Sequence, residues 1–477
     1  SYGAGEILVP ALQSEIDDGN FDIFGVFGPY GNDEVAAASR ATATSTFNAR
    51  HRITGGDGQL SFDAFQLDNG PVAVALGFEY RDEDYDIRFD EQTASGAFGG
   101  GGADSSSMSG ARVVKSVFAE TLIPVMRSLD VSFAGRYDDY NDFGTTVNPK
   151  VSVTFRPLDT LLLRGSYGTG FKAPELNILY EPPTTGNVWF IDAWACSQTS
   201  EDADGDGRSD VPVDTLPFGH PCTERRGTGV MRFSGNRDLQ PEESDNWTTG
   251  LVWSPTTDLS IVLDYYMIKL DEQIWGEDIQ RLVDDELALR YQGETGTTVG
   301  RVTRSEGGWV EGIRATYENI EQIETDGFDA EASYTFGLGR LGDFTTRLRW
   351  THVLNFEKDF RNGDGKQNWA GHVGFPEDRG QLTVNWNLGN YAATVVGNYI
   401  SDQDGARPWN TDDDHRASFT TWDLQASYTT PWNGLVTVGA RNVFDRDPPQ
   451  PNWGSNYDID QHEVYGRVPY LRLEQSF

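Results

Sequence analysis

No stretch of this chain stays apolar for as long as 18 residues, so no helix in it can cross a membrane. A β-barrel remains open. Barrel strands alternate in polarity, and a mean hydropathy of −0.51 is compatible with them. Basic residues are also scarce: 37 Lys and Arg stand against 74 Asp and Glu, a formal net charge of −37. That balance excludes nucleic acid as a partner, because phosphate recognition needs a basic surface. It fits an exterior that attracts cations, and it fits equally well adaptation to a salty environment. Cysteine is nearly absent. Cys196 and Cys222 lie in one polar segment. They are read as a loop-closing disulfide, which implies an oxidising compartment. A metal pair is the weaker alternative, since neither Cys-x-x-Cys nor a flanking histidine accompanies them.

Catalytic signatures are missing as well. The histidines (His51, His220, His352, His372, His415, His462) show no metal-type spacing. No serine sits in Gly-x-Ser-x-Gly. The glycine run GAFGGGGAD (96–104) is not followed by a phosphate-loop lysine and reads as a flexible loop. The chain is therefore not expected to be an enzyme, and no cofactor for catalysis is expected. No signal peptide is visible in the polar, loop-like opening from Ser1, so either it has been removed or this chain is not the natural start.

What the chain does have is glycine (53), aromatics (26 Phe, 19 Tyr, 13 Trp) and alternation. In PVAVALGFEYR, Val72, Val74, Leu76, Phe78 and Tyr80 share one face, and Ala73, Ala75, Gly77, Glu79 and Arg81 share the other. LDVSFAGRYDDY and GLVTVGARNVF repeat the pattern. So does LLLRGSYGTGFK from Leu161, with Leu161, Leu163 and Tyr167 opposite Leu162, Arg164 and Ser166. A period of two with one apolar and one polar face places each strand between an apolar medium and water. Short connections (67–70, 157–159, 254–258, 388–390, 430–433) alternate with long ones (91–109, 172–242, 275–309, 358–376, 404–414, 446–463). About 15 strands of roughly 10–20 residues result, which suits tilted membrane-spanning strands. Short turns at one end and long loops at the other is the layout of an antiparallel transmembrane β-barrel. A propeller would repeat every 40 residues or so, and no such repeat is present. Residues 1–42 read as a loop-like segment ahead of a barrel over 43–477, with the first strand near Thr44. EDIQRLVDDELALRY (277–291) is the exception, with Ile279, Leu282, Val283 and Leu287 near helical spacing. Tyr265, Tyr266, Trp350, Trp386, Tyr399, Trp432, Tyr465 and Tyr470 gather near strand ends, as interfacial girdles do. Packing in a soluble β-sandwich is the competing account of these aromatics.

Several stretches resemble the C-terminal part of the TonB-dependent outer-membrane receptors, in that family's order. They are LRGSYGTGFKAPELNILY, GNRDLQPEESDNWTTGLVWSP (235–255, with Gln240 where the family has lysine), IETDGFDAEASYTF (323–336), NVFDRDPP (442–449) and the terminal Phe477. The resemblance implies a barrel of about 22 strands filled by an N-terminal plug with a TonB-contacting box. Neither plug nor box is recognisable here. The sequence is therefore expected to hold the C-terminal 15 or so strands, either as a fragment or as one half of a split receptor partnered by a plug chain or N-terminal half. It further implies a Gram-negative outer-membrane location, lipid and lipopolysaccharide as neighbours, and the TonB complex as a partner through the plug. The implied activity is active uptake of a scarce nutrient: a siderophore, a cobalamin, or an oligosaccharide or peptide. Two other readings stand beside it. One is a plugless barrel acting as a surface binding or structural module. The other is a soluble secreted β protein.

The long 172–242 loop carries the local chemistry. Asp202, Asp204, Asp206 and Asp210 follow Asp-x-Asp-x-Asp-Gly-x-x-Asp spacing, which converges oxygen ligands on a structural calcium ion. The stretch is similar to the calcium loops of thrombospondin-type and dockerin repeats. It lacks the twelfth-position glutamate of an EF-hand, and a merely solvated acidic loop is the alternative. Cys196 and Cys222 bracket it. A second polar turn, FRNGDGKQN (360–368), has too few acids for a site. Tyr180, Trp189, Phe190 and Trp194 concentrate aromatic surface in the same loop, suited either to stacking on a ligand or to packing among loops.

Overall fold

A computed structural model describes residues 6–22, 32–98, 107–203, 210–212, 215–216, 220, 222, 225–359, 365–405, 415–450, 461–463 and 465–475. Strands dominate, as the alternation requires. The wall is built from β1 (Phe47–Leu67), β2 (Gly70–Phe89), β3 (Met108–Met126), β4 (Leu129–Tyr140) and β5 (Gly144–Leu158). It continues with β6 (Leu161–Lys172), β7 (Glu242–Thr256), β8 (Leu259–Gly276), β9 (Val310–Gly337) and β10 (Asp343–Asp359). The last third holds β11 (Asp378–Leu388), β12 (Tyr391–Ile400), β13 (Phe419–Thr429), β14 (Gly434–Arg441) and β15 (Val468–Gln475). Each strand pairs antiparallel with the next, including β6 with β7, β8 with β9 and β10 with β11 across their long connections. The result is one meander curved into a barrel wall, with β1 and β15 at its two ends. Among the described residues no backbone register joins those two.

The two faces follow the pleat. Leu76, Phe78 and Tyr80 of β2 are exposed on the outside. Glu79 and Arg81 point the other way, into ion pairs with each other, with Glu83 and with Arg136 of β4. The outer face thus offers apolar side chains to lipid, and the inner face is a lattice of paired charges. Aromatic contacts gather beside the short turns: Phe336 stacks on Tyr334 and on Phe344, and Tyr391 packs on Tyr428. Higher up, Trp350 stacks on Tyr399 at 5.4 Å. Two of the expected girdle residues belong to the inner face instead. The Tyr470 hydroxyl donates to Gln425, and Tyr266 follows Tyr265 and must face the opposite side with Asp264.

β6 shows how the pattern is enforced. Arg164 reaches Asp264 on β8 with two hydrogen bonds of 2.9 and 2.5 Å, passing over β7. β7 carries Gly250 at that register. A Cβ there would stand 1.8 Å from an Asp264 carboxylate oxygen, so only glycine lets the pair form.

The N-terminal segment differs from the loop expected over 1–42. Val9–Asp17 and Asn32–Arg40 are helices, tied by an Arg40–Glu15 ion pair. Glu6–Ile7 pairs with Thr42–Ala43. The first helix has no side-chain cap at Leu8, carries Pro10 in its first turn and buries none of its residues. Its signals are too weak to stand out in sequence, and contacts with residues 97–98 hold it in place. The first wall strand begins at Phe47 rather than near Thr44.

Candidate functional site: a roofed barrel mouth

The strand ends opposite the short turns carry the long connections, and two of these fold together. Residues 184–190 and 225–234 form an antiparallel hairpin. Its second strand then runs parallel to the upper end of β9, with Met231–Ser234 paired to residues 313–316. β9 is 28 residues long, far more than the roughly 9–11 that cross a bilayer, so its upper end stands clear of the membrane. The short strand Val302–Arg304 pairs with the same stretch. The helix expected from Ile279, Leu282, Val283 and Leu287 is present as Ile279–Tyr291, capped by the Asp278 carboxylate on the amides of Gln280 and Arg281. Leu282 and Val283 enter a small core with Val188, Phe190, Val302, Val310, Ile313 and Ala315. The described parts of the connections 173–241 and 277–309 therefore form one roof with its own hydrophobic interior.

At the centre of that roof is a buried charge network that no local motif announced. Arg304 is 2% exposed. It donates to both carboxylate oxygens of Asp192 at 2.7 and 3.0 Å, and to Glu286 at 2.7 and 3.0 Å. Glu286 also holds Arg290 one helical turn on. Burial pulls the Arg304 pKa down, but hydrogen bonds to Glu286 and Asp192 outweigh it and the net shift is upward. The Trp194 ring lies against both guanidiniums, 4.9 Å from Arg304 and 5.2 Å from Arg290. Only Glu286 left a trace in sequence: it lies three and four residues beyond Val283 and Leu282, on the stripe that faces the core.

The roof is latched to the wall by residues 235–243. Asn236 donates to the Tyr317 carbonyl at 2.8 Å. Leu239 is buried with Leu176 and Leu179. Asn319 bonds both the amide and the carbonyl of Gln240, and also the carbonyl of Glu272. Glu272 sits at positive φ (57°) where the β8–β9 register slips. The Glu242 carboxylate accepts from the Ile274 amide at 3.0 Å. At Gly235 a Cβ would lie 2.6 Å from the Ile178 carbonyl oxygen, which demands glycine. This local geometry explains why the stretch is so recognisable.

The aromatics singled out in sequence have separate surroundings. Phe190 is in the roof core, and Trp194 backs the arginine network. Tyr180 packs on the Leu176–Leu179–Leu239 cluster, with Arg237 4.7 Å from its ring. Trp189 is 48% exposed on the roof surface. Cys196 and Cys222 are joined in a disulfide, with Cα atoms 4.7 Å apart. Of the four aspartates read as calcium ligands, Asp204 and Asp206 lie outside the described residues, as does Phe477. Of the other two, the Asp210 carboxylate accepts the Ala203 amide at 2.6 Å, and Asp202 is buried. Among the described residues no group of three or more His, Cys, Asp or Glu is arranged to hold a metal.

Below the roof the inner wall stays polar and paired: Arg136 with Asp138, Arg164 with Asp264, and Arg347 and Arg349 with Glu331. Such a surface can bind and pass a polar solute.

A family model described as TonB dependent receptor-like, beta-barrel matches residues 12–443. Similar solved structures include the siderophore receptor PirA from Acinetobacter baumannii, 17% identical, covering 92% of this chain and 57% of that one, with a TM-score of 0.58. A mutant of the ferric enterobactin receptor PfeA from Pseudomonas aeruginosa, in complex with enterobactin, is 16% identical over 94% of this chain and 56% of its own, with a TM-score of 0.61. PirA from Pseudomonas aeruginosa is 14% identical over 91% and 57%, with a TM-score of 0.52. At these identities the likeness is one of fold. The chain spans a little over half the length of the structures it matches.

Proposed function

This chain belongs to the TonB-dependent receptor β-barrel family of the Gram-negative outer membrane, and from that premise we propose that it forms wall and roof of an active importer for a scarce nutrient. The observation that carries this reading is the roof: two long connections sharing one core above a wall of paired charges. Cargo would be captured by the roof surface and passed along the polar inner face. Force from TonB would act through a plug. The mechanism is binding and gating, without bond chemistry. Among nutrient classes a siderophore is favoured over a cobalamin or an oligosaccharide, because the structural neighbours include siderophore receptors.

The test is uptake by cells carrying the full-length receptor, with and without TonB. Radiolabelled ferric siderophores, cyanocobalamin and oligosaccharides are supplied in turn. TonB-dependent accumulation of a ferric siderophore supports the proposal. Accumulation of another class alone corrects the cargo. Surface binding that persists unchanged without TonB, with no uptake of any class, favours a surface module.

A further inference from the structure

The joint between roof and wall holds a group that neither capture nor transport uses. Glu277 follows the last residue of β8 and is 5% exposed. One carboxylate oxygen accepts the Thr316 amide at 2.8 Å and pairs with Arg301. The other is buried without a hydrogen-bond partner. The carboxyl of Glu318, on the upper part of β9, is held beside it by the same Arg301 guanidinium. Glu318 in turn receives Arg301 at 3.3 Å and Arg281 at 3.1 Å. Every element packed at the joint contributes. Arg301 immediately precedes the short strand Val302–Arg304, Arg281 and the capping Asp278 come from the helix, and Glu318 and Arg314 from β9. Arg232, opposite Arg314, comes from the hairpin strand.

We propose that Glu277 and Glu318 share one proton and form a clasp that holds the roof to the barrel wall while protonated and loosens when the proton leaves. Two carboxylates in contact cannot both be charged cheaply when one is buried, and the two arginines offset only part of that cost. Burial first, and then the Glu318 carboxyl, push the Glu277 pKa up to about 7. In an opened roof the same group is hydrated, with an ordinary value near 4.5. The closed state therefore binds the proton more tightly. The stabilisation from Glu277 is complete below about pH 4.5 and is lost progressively up to about pH 7; burial works against the charge on Glu318, but Glu277 and Arg301 outweigh it and hold that carboxyl below its ordinary value, so its own contribution is lost only as pH falls below about 4.5. Opening is favoured by up to about tenfold per pH unit across that window, with a plateau above it.

Hydrogen exchange by mass spectrometry, corrected for intrinsic rates, would be followed on the full-length receptor in outer membranes between about pH 5 and pH 8.5, a range that brackets the upper part of the transition. In the wild type, peptides within 277–304 should lose protection as pH rises and level off near pH 7, while peptides from 70–80 in the wall hold steady. Glu277→Gln keeps an acceptor for the Thr316 amide and mimics the protonated group. It should stay protected at every pH. Glu318→Gln removes the partner and should move the transition to lower pH. A wild-type roof with a flat profile overturns the clasp. So does a Glu277→Gln profile with the wild-type slope, or a Glu318→Gln transition that does not move.

Discussion

Replacing Arg304 with alanine should open the roof without harming the barrel. The guanidinium is 2% exposed, and its partners Asp192 and Glu286 are 0% and 1% exposed. Solvent screening therefore offers little relief. After truncation Glu286 keeps Arg290, whereas Asp192 keeps the Ala195 amide at 3.1 Å and loses its arginine. A buried charge left without its counter-ion costs about 3–5 kcal/mol. Loss of the Trp194 stacking adds about 0.5–2 kcal/mol. Even the lower bound shifts local opening by roughly two orders of magnitude. Limited proteolysis of intact outer membranes would read this as accelerated cleavage within 184–190 and 279–291. Heat-modifiable gel mobility would report that the barrel is still folded. A cycle with Asp192→Ala should show a coupling above about 1.5 kcal/mol, because both changes remove one interaction. If Arg304→Ala cleaves no faster than wild type, or the two changes simply add, the buried network does not hold the roof.

Reducing the disulfide, or changing both Cys196 and Cys222 to serine, frees a span with a sequence separation of 26. Loop-closure entropy sets the loss at about 3–4 kcal/mol. Cleavage between the two positions should rise, and an unchanged pattern under reductant would refute the constraint. Leu76→Arg puts a charge against lipid and should reduce membrane assembly by about 2–4 kcal/mol, whereas Ala75→Arg, on the inner face, should cost about 1 kcal/mol or less. Equal yields of folded barrel for the two would reverse the facing assignment. Gly250→Ala should separate Arg164 from Asp264 and lower the urea midpoint of the detergent-solubilised barrel by an amount equivalent to about 1–3 kcal/mol. A midpoint equal to wild type would show that the pair can rearrange around a methyl group.

Much of the wall was legible in sequence because a barrel strand carries its own instructions. The alternation from Val72 to Arg81 and from Leu161 to Ser166 assigns inner and outer faces before any partner is known. The short turns and long connections then assign the ends. The helix Ile279–Tyr291 was legible for the same reason, since its period is local. The first N-terminal helix was not, because it lacks a side-chain cap and a buried stripe and depends on contacts near residues 97–98. The aromatic loop residues could be picked out by type, but their surroundings could not. Phe190 and Trp194 are near neighbours in sequence, yet one serves a hydrophobic core and the other an arginine network.

By itself, then, the sequence determined an antiparallel barrel wall with a polar inner face, its family, and a loop pinned by two cysteines. The wall and the pinned loop follow from period, spacing and residue type within short stretches, and the family from the resemblance of several such stretches. Tertiary structure alone decided that two separate connections become one roof, that Arg304 meets Asp192 across 112 positions, and that Arg301 gathers Glu277 and Glu318 at the joint. The physical reason is that a buried charge acquires its meaning from its partner and its loss of water. Both come from segments that touch only after the chain has folded.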